Sequence, residues 1–460
     1  MKECKDISSI GVFFLLISFV IFSILGFLYP TYSTDSWGYL ELSNSISKGG
    51  YSTNIVRQYS LNSHLSNSFP FFYPMVLYLF SFLGFGIYTG TLINIIVFLV
   101  SIWLVVFYLV DRKYFGLIAL ALVVNVDFLY EIISARSIPI ALLLSVLLYL
   151  AVKNTRYNSA LLLMGFMCLN RFDAYPFVFS FLIFIYFYCG HEKYIGYFPF
   201  IVLSLIWPAY SMFSFNQFFS TENSIAFSQN LPVTDVLYWD APKIGSFLDS
   251  LSIVFHRLSY FPFLFLLPLV LFFYKNERRE NEMLSIAFCS CLYISVIFIY
   301  MTGYKDPRYL AIYSLFISIH FCNYHLSSIL PQKTSYLALS LYLSAILLLL
   351  LSLARFYVNY HKPKDDSVVN IERCLSSDNT LLVIGDNLLV SRLISAKASV
   401  LLGVKSVMQP TNLNSNNINE VVDRYDITHL YFLDYSGNII NRMNGFKKSL
   451  CNSLYENVRN

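Results

Sequence analysis

Long apolar runs dominate the chain, separated by short polar or charged stretches. Runs that approach the length of a membrane-crossing helix lie near 10–29, 87–110, 114–131, 137–152, 158–170, 174–190, 195–213, 260–274, 283–301, 309–325 and 336–354. A helix needs roughly 20 apolar residues to cross the hydrocarbon layer, so the shorter runs are the weaker candidates. Taken together they predict an all-α polytopic membrane protein with about 11 transmembrane helices. Lys2 and Lys5 precede the first run, which is longer than a signal-peptide core and reads as a retained first helix. The apolar stretch from Phe71 to Gly86 is short and bracketed by Pro70, Pro74 and Gly84. It reads as an interfacial or partly re-entrant helix, because counting it as a span would reverse every later loop.

The pattern changes after Phe356. Residues 365–460 are polar and mixed, with a strand-like run Leu381-Leu-Val-Ile384 ending at Gly385-Asp386. Helical patterning to about Leu402, a second helix over Asn416 to Tyr425 and a strand from His429 to Leu433 follow. This order predicts a small C-terminal α/β domain over 365–460, after a transmembrane domain over 1–360. Gly385 lacks the further glycines of a nucleotide-binding turn and reads as a structural turn.

Composition supports a lipid-facing protein. The chain is 57% hydrophobic and only 13% charged, with a mean hydropathy of +0.60, against about 25% charge in soluble domains. Its 43 Phe and 36 Tyr suit acyl chains and interfaces respectively. A net charge of +4 carries no nucleic-acid signal. The cations fall by position: Lys2, Lys5, Arg112, Lys113, Lys153, Arg156, Lys193, Lys275, Arg278, Arg279 and Lys333 all lie in loops on one expected side. That side is then the cytoplasm, with the C-terminal domain on the far side of the membrane. Of eight cysteines, most sit in or beside apolar runs and read as small core residues. Cys374 and Cys451 could pair if the C-terminal domain is exported.

Two long loops fall on the outer side, at about 31–70 and 214–260. The first carries Asp35 just beyond the first helix, opening a short amphipathic helix with Tyr39, Leu42 and Ile46 on one face and Gly49-Gly50 at its end. A carboxylate held there could act as general base toward a hydroxyl, or simply cap the helix. The second contains Trp239, Asp240, His256 and Arg257. Further on stand Asp127, Glu131, Arg136, then Arg171 and Asp173 between two helices, and Lys305-Asp-Pro-Arg308-Tyr309 at the start of a late helix. Each has a plainer reading: Glu131 as a loop cap, Arg171 and Asp173 as a pair across a helix break, Arg308 as an interfacial anchor, and Trp37, Trp207 and Trp239 as belt residues.

Asp35, Tyr39, Ser43 and Gly49-Gly50, followed by Phe69-Pro-Phe-Phe-Tyr-Pro74 and later by Lys305-Asp-Pro-Arg308-Tyr309, resemble the GT-C superfamily of polytopic glycosyltransferases. Protein O-mannosyltransferases and lipid A aminoarabinose transferases are members. The likeness spans about residues 10–325 and rests on the order of the motifs. It implies a GT-C-like fold and transfer of a sugar, with inversion, from a polyprenyl-phosphate carrier to an extracytoplasmic glycan or protein acceptor, such as O-antigen. Asp35 and Glu131 are then the candidate catalytic acids. Arg308, Lys305, Arg136 and Arg171 are candidates for the donor phosphate, and Tyr39, Tyr309 and Trp37 for substrate. Ser36 stands where many relatives have a second acid, which leaves any divalent metal open. A transporter or lipid flippase is the alternative, though ionisable groups cluster at helix ends rather than mid-membrane; a glycan polymerase or ligase of another membrane fold is a third.

Overall fold

The computed structural model describes residues 33–56, 69–110, 131–189, 197–216, 280–301, 310–324, 371–385, 388–409, 413, 418–433, 446–449, 451 and 454–457, together with 368 and isolated positions between 16 and 27. Among these the chain is mostly helical, with one small mixed sheet.

The helices are α1 (Thr34–Ser47), α2 (Phe72–Ser81), α3 (Thr89–Leu104, continued by a π turn over Val105–Leu109), α4 (Ile138–Lys153), α5 (Tyr157–Asn170), α6 (Ala174–Cys189), α7 (Tyr197–Phe215), α8 (Glu280–Met301) and α9 (Leu310–Tyr324). They follow the apolar runs closely. The stretches 10–29, 114–131, 260–274 and 336–354 lie wholly or mostly outside the described residues. Among the described residues two helical runs are long and apolar enough to cross a membrane, Gly86–Leu109 and Tyr197–Phe215, against the eleven or so expected from the sequence. Phe72–Ser81 is a separate short helix, ended by a turn in which Gly84 takes φ +76.

α4 and α5 form a tight antiparallel pair through Asn154–Arg156, with α3 against α4 and α7 against α5. α6 packs on α8, and α8 on α9. Close approach needs small residues: a Cβ on Gly165 of α5 would stand 2.8 Å from Leu203 of α7. One continuous apolar core runs through these helices, from Leu42 and Leu77 to Phe288 and Phe316. Much of the outer surface is also apolar, with Phe82 78%, Phe187 79%, Phe198 75% and Phe213 91% exposed.

The sheet has strand order β1-β3-β2-β4-β6-β5. Its strands are β1 (Ile55–Val56), β2 (Thr380–Gly385), β3 (Lys405–Val407), β4 (His429–Leu433), β5 (Phe446–Lys448) and β6 (Leu454–Asn457). The first four are parallel, and β5 and β6 pair antiparallel at one edge. Side chains alternate across the pleat: Leu382, Ile384, Leu430 and Phe432 pack against α11 (Ile418–Tyr425), while Leu381, Val383 and Tyr431 pack toward α10 (Leu388–Leu402). Covered on both faces, β2 is buried throughout, as its uninterrupted apolar run requires.

Two findings depart from the sequence expectation. First, the sheet is not confined to 365–460. β1 comes from the first outer loop and pairs in register with β3, Ile55 opposite Ser406 and Val56 opposite Val407. Second, α1 is not an amphipathic surface helix. Every residue from Ser36 to Ser43 is buried, because α2 covers one side and α10 another. Tyr39 and Leu42 do face the core, but so do Trp37 and Glu41.

Cys374 and Cys451 form a disulfide, tying the turn before β2 to the β5–β6 hairpin across 77 residues. Cys168, Cys289, Cys291 and Cys322 are buried free thiols, as small core residues should be. Blocking accessible thiols on unreduced, denatured protein should therefore leave Cys374 and Cys451 unmodified. Cys451→Ser should destabilise the C-terminal sheet by about 2–4 kcal/mol in denaturant titration.

Candidate functional site

α1 begins at a capping box. Ser33, not Asp35, is the N-cap: its hydroxyl accepts from the Ser36 amide at 3.2 Å, and the Ser36 hydroxyl accepts from the Ser33 amide at 3.0 Å. Asp35 therefore sits in the first helical turn, half-buried, where the helix dipole favours a carboxylate. The N-cap reading of Asp35 is corrected.

Two arginines reach this end of the helices. Arg136 donates from Nε to the Ser33 hydroxyl at 2.9 Å and forms an ion pair with Glu131. The Glu131 side chain is only 1% exposed and that of Arg136 13%. Glu131 is thus neither a helix cap nor a solvated loop residue; its carboxylate orients the guanidinium. Arg171 closes α5 and forms a paired contact with Asp173, Nε to Oδ1 at 2.7 Å and Nη2 to Oδ2 at 3.0 Å. That geometry holds the guanidinium plane fixed, as expected of a pair across a helix break.

Ser137 links the two halves. It occupies the N-cap of α4, where Pro139 follows in the first turn, yet its hydroxyl caps nothing. It shares a 3.2 Å hydrogen bond with the Tyr39 hydroxyl and accepts from Arg171 Nη1 at 3.2 Å. Ser36 donates to the Ser134 carbonyl. The structure thereby gathers Glu131 and Arg136 at the start of α1, beside the turn that carries Asp35, and Arg171 and Asp173 one turn further on, at Tyr39, through Ser137.

The turn over 131–137 is held from below by α3. Asn94 donates to the carbonyls of Glu131 (3.2 Å) and Arg136 (2.9 Å) and accepts from the Tyr73 hydroxyl at 3.1 Å, while Thr91 donates to the Ile133 carbonyl. Within the turn Ala135 takes φ +51, which costs a non-glycine residue about 1–2 kcal/mol. A Cβ on Gly90 would fall 2.5 Å from the Ala135 side chain, so α3 and the turn touch at a glycine. The sequence reading missed Asn94; the available signal was a lone amide in an apolar run.

Trp37 and Trp207 are 5% and 0% exposed, so neither is a belt residue. Trp207 sits in an aromatic cluster with Phe71, Phe172 and Tyr210. Arg308, Lys305 and Tyr309 lie outside the described residues, as do Asp127, Trp239, Asp240, His256 and Arg257. Among the described residues, no three His, Cys, Asp or Glu side chains gather to hold a metal ion.

Glu41, on the same helix as Asp35, was also missed. It is 7% exposed, and its carboxylate accepts from Asn54 N (2.6 Å), Thr53 Oγ1 (2.8 Å) and Ser399 Oγ (2.9 Å). Burial pushes its carboxyl above the usual range, and these donors pull it part of the way back.

No protein-family model and no curated protein matches the chain.

Replacing Asn94 by Ala leaves two buried carbonyls without their donor. At about 1–3 kcal/mol for each such group, Asn94→Ala should lower the thermal unfolding midpoint in detergent markedly, and Asn94→Asp, which has no amide to donate, should fare no better.

Proposed function

We propose that the chain is a polytopic membrane glycosyltransferase that moves a sugar from a polyprenyl-phosphate carrier to an acceptor hydroxyl outside the cytoplasm. The observation that carries this reading is the convergence of the Asp35 turn with two oriented arginines at one end of the helices. The resemblance in motif order to GT-C enzymes supports it, resting on residues spread over about 10–325.

The membrane part of the reading is supported by the two span-length helices and by large exposed side chains such as Phe187 and Phe213. A soluble protein does not leave so wide an apolar surface uncovered. Its sidedness is supported by Lys153. That side chain lies at the end of α4 opposite Ser137, donating to the Tyr108 carbonyl at 3.2 Å, as a cytoplasmic cation should when the site faces outward. The disulfide in the C-terminal sheet fits an oxidising compartment.

In this reading Asp35 takes the proton of the acceptor hydroxyl as its oxygen bonds to the anomeric carbon. The bond from that carbon to the carrier phosphate breaks, and the polyprenyl phosphate leaves as an anion. Attack opposite the leaving group inverts the centre. Stabilising the phosphate is the larger requirement, and guanidinium groups meet it with charge and paired donors. Arg308, with Lys305 close by in sequence, is assigned that contact. Arg136 and Arg171 are charge-balanced by Glu131 and Asp173, and are assigned as oriented hydrogen-bond donors rather than as a source of net positive charge. Tyr309 is assigned to the substrate wall; Tyr39 and Trp37, named for that role by the sequence, are buried and are assigned to support it from behind.

Asp35→Asn preserves shape but removes the base. The variant should insert and fold normally and lose at least 100-fold of carrier release from polyprenyl-phosphate sugars; wild-type rates in it would remove Asp35 from the chemistry. A reporter fused after Asn460 should be active only on the non-cytoplasmic side, and cytoplasmic activity there would reverse the orientation.

A further inference from the structure

We propose that the C-terminal α/β domain positions α1 for the reaction, and that Glu41 is the residue through which it does so. This rests on the reading of Asp35 given above, and its test separates the two.

The first outer loop and the C-terminal domain are far apart in sequence yet share a sheet. The Ser406 amide donates to the Asn54 carbonyl at 2.8 Å, adding β1 as the edge strand beside β3. A two-residue strand is too short to hold a loop by itself. The second contact is Glu41. Its three donors come from two bodies: Thr53 and Asn54 lead into β1, and Ser399 lies on α10. A buried carboxylate is tolerated only when donors occupy its lone pairs. Without Thr53 and Asn54 one oxygen loses its donor, and without α10 the other loses Ser399, so Glu41 links α1, β1 and α10 in one geometry. Ala396 of α10 and Met408, next to β3, complete the dock by joining the apolar core that contains Leu42.

What is locked is the helix carrying the site. A helix is a stiff rod rising about 1.5 Å per residue, so Asp35 stands about 9 Å along the axis from Glu41. A displacement at Glu41 is carried to Ser33, Asp35 and Tyr39. The helix is thus held at its start and through its middle: by Arg136 and Ser137 in the bundle, and by Ser399 in the C-terminal domain.

The test uses the full-length protein with three variants. Glu41→Ala removes the acceptor for all three donors, Ser399→Ala removes one donor, and Glu41→Gln keeps the shape and one acceptor oxygen without the charge. Backbone hydrogen exchange over 34–47 is read beside carrier release from a polyprenyl-phosphate-linked hexose. Glu41→Ala should speed exchange in α1 and lower kcat at least tenfold with the donor KM changed less than threefold. Ser399→Ala should do the same more weakly, and Glu41→Gln should restore most of both. Should Glu41→Ala fail to insert, Ser399→Ala alone carries the test. Unchanged exchange over α1 overturns the clamp, whatever Asp35 does. Faster exchange with wild-type kcat overturns positioning while leaving the clamp. An active Asp35→Asn variant, by contrast, sinks only the base and leaves the exchange result standing.

Discussion

Buried charge must be matched, and two arginines sunk at one end of the helices dictate what surrounds them. Arg136 brings Glu131 into the interior and takes the hydroxyl at the start of α1; Arg171 takes Asp173 and the hydroxyl at the start of α4. Neither guanidinium could stay there unpaired, since the penalty for desolvating it exceeds any single hydrogen bond. The carboxylates and the Ser137 hydroxyl, which accepts from Arg171 instead of capping α4, follow from that requirement; the Asn94 amide answers a separate one, the backbone carbonyls of the turn. In the proposed reaction the site faces an anionic leaving group, and groups oriented in advance suit it because orientation completed during the reaction adds to the barrier.

α1 joins this polar end to the C-terminal sheet. It is buried from Ser36 to Ser43 between α2 and α10, so its position is a compromise between the bundle and the α/β domain. The division into a membrane part and an appended tail is therefore a division of sequence, not of structure. The edge strand of the tail's sheet is made from the first outer loop.

The sequence disclosed elements whose partners are local. The helices from 138 to 215 end within a few residues of the apolar runs, and β2 and β4 announce themselves as buried aliphatic strands. The Arg171–Asp173 pair, two residues apart, was readable for the same reason. What stayed hidden depends on distant partners. Glu41 looks like one polar residue in a Ser- and Asn-rich helix until Ser399 is placed beside it. β1 and β3 are two and three residues long, below the length at which alternation registers. α1 was assigned a solvent face because the helix covering that face, α10, follows more than three hundred residues later. At the site, order along the chain named Glu131 and Arg136 but not that they pair, and the amide supporting them lies on a different helix.

Asp35 and the arginines are proposed to act on one lipid-phosphate sugar, and an experimental structure of the protein with a polyprenyl-phosphate-linked sugar bound tests that proposal. The carrier phosphate should lie against a guanidinium at the Ser33–Arg136 end of the helices, with the anomeric carbon between it and the Asp35 carboxylate. A donor phosphate bound at the opposite end, beside Lys153, would contradict it.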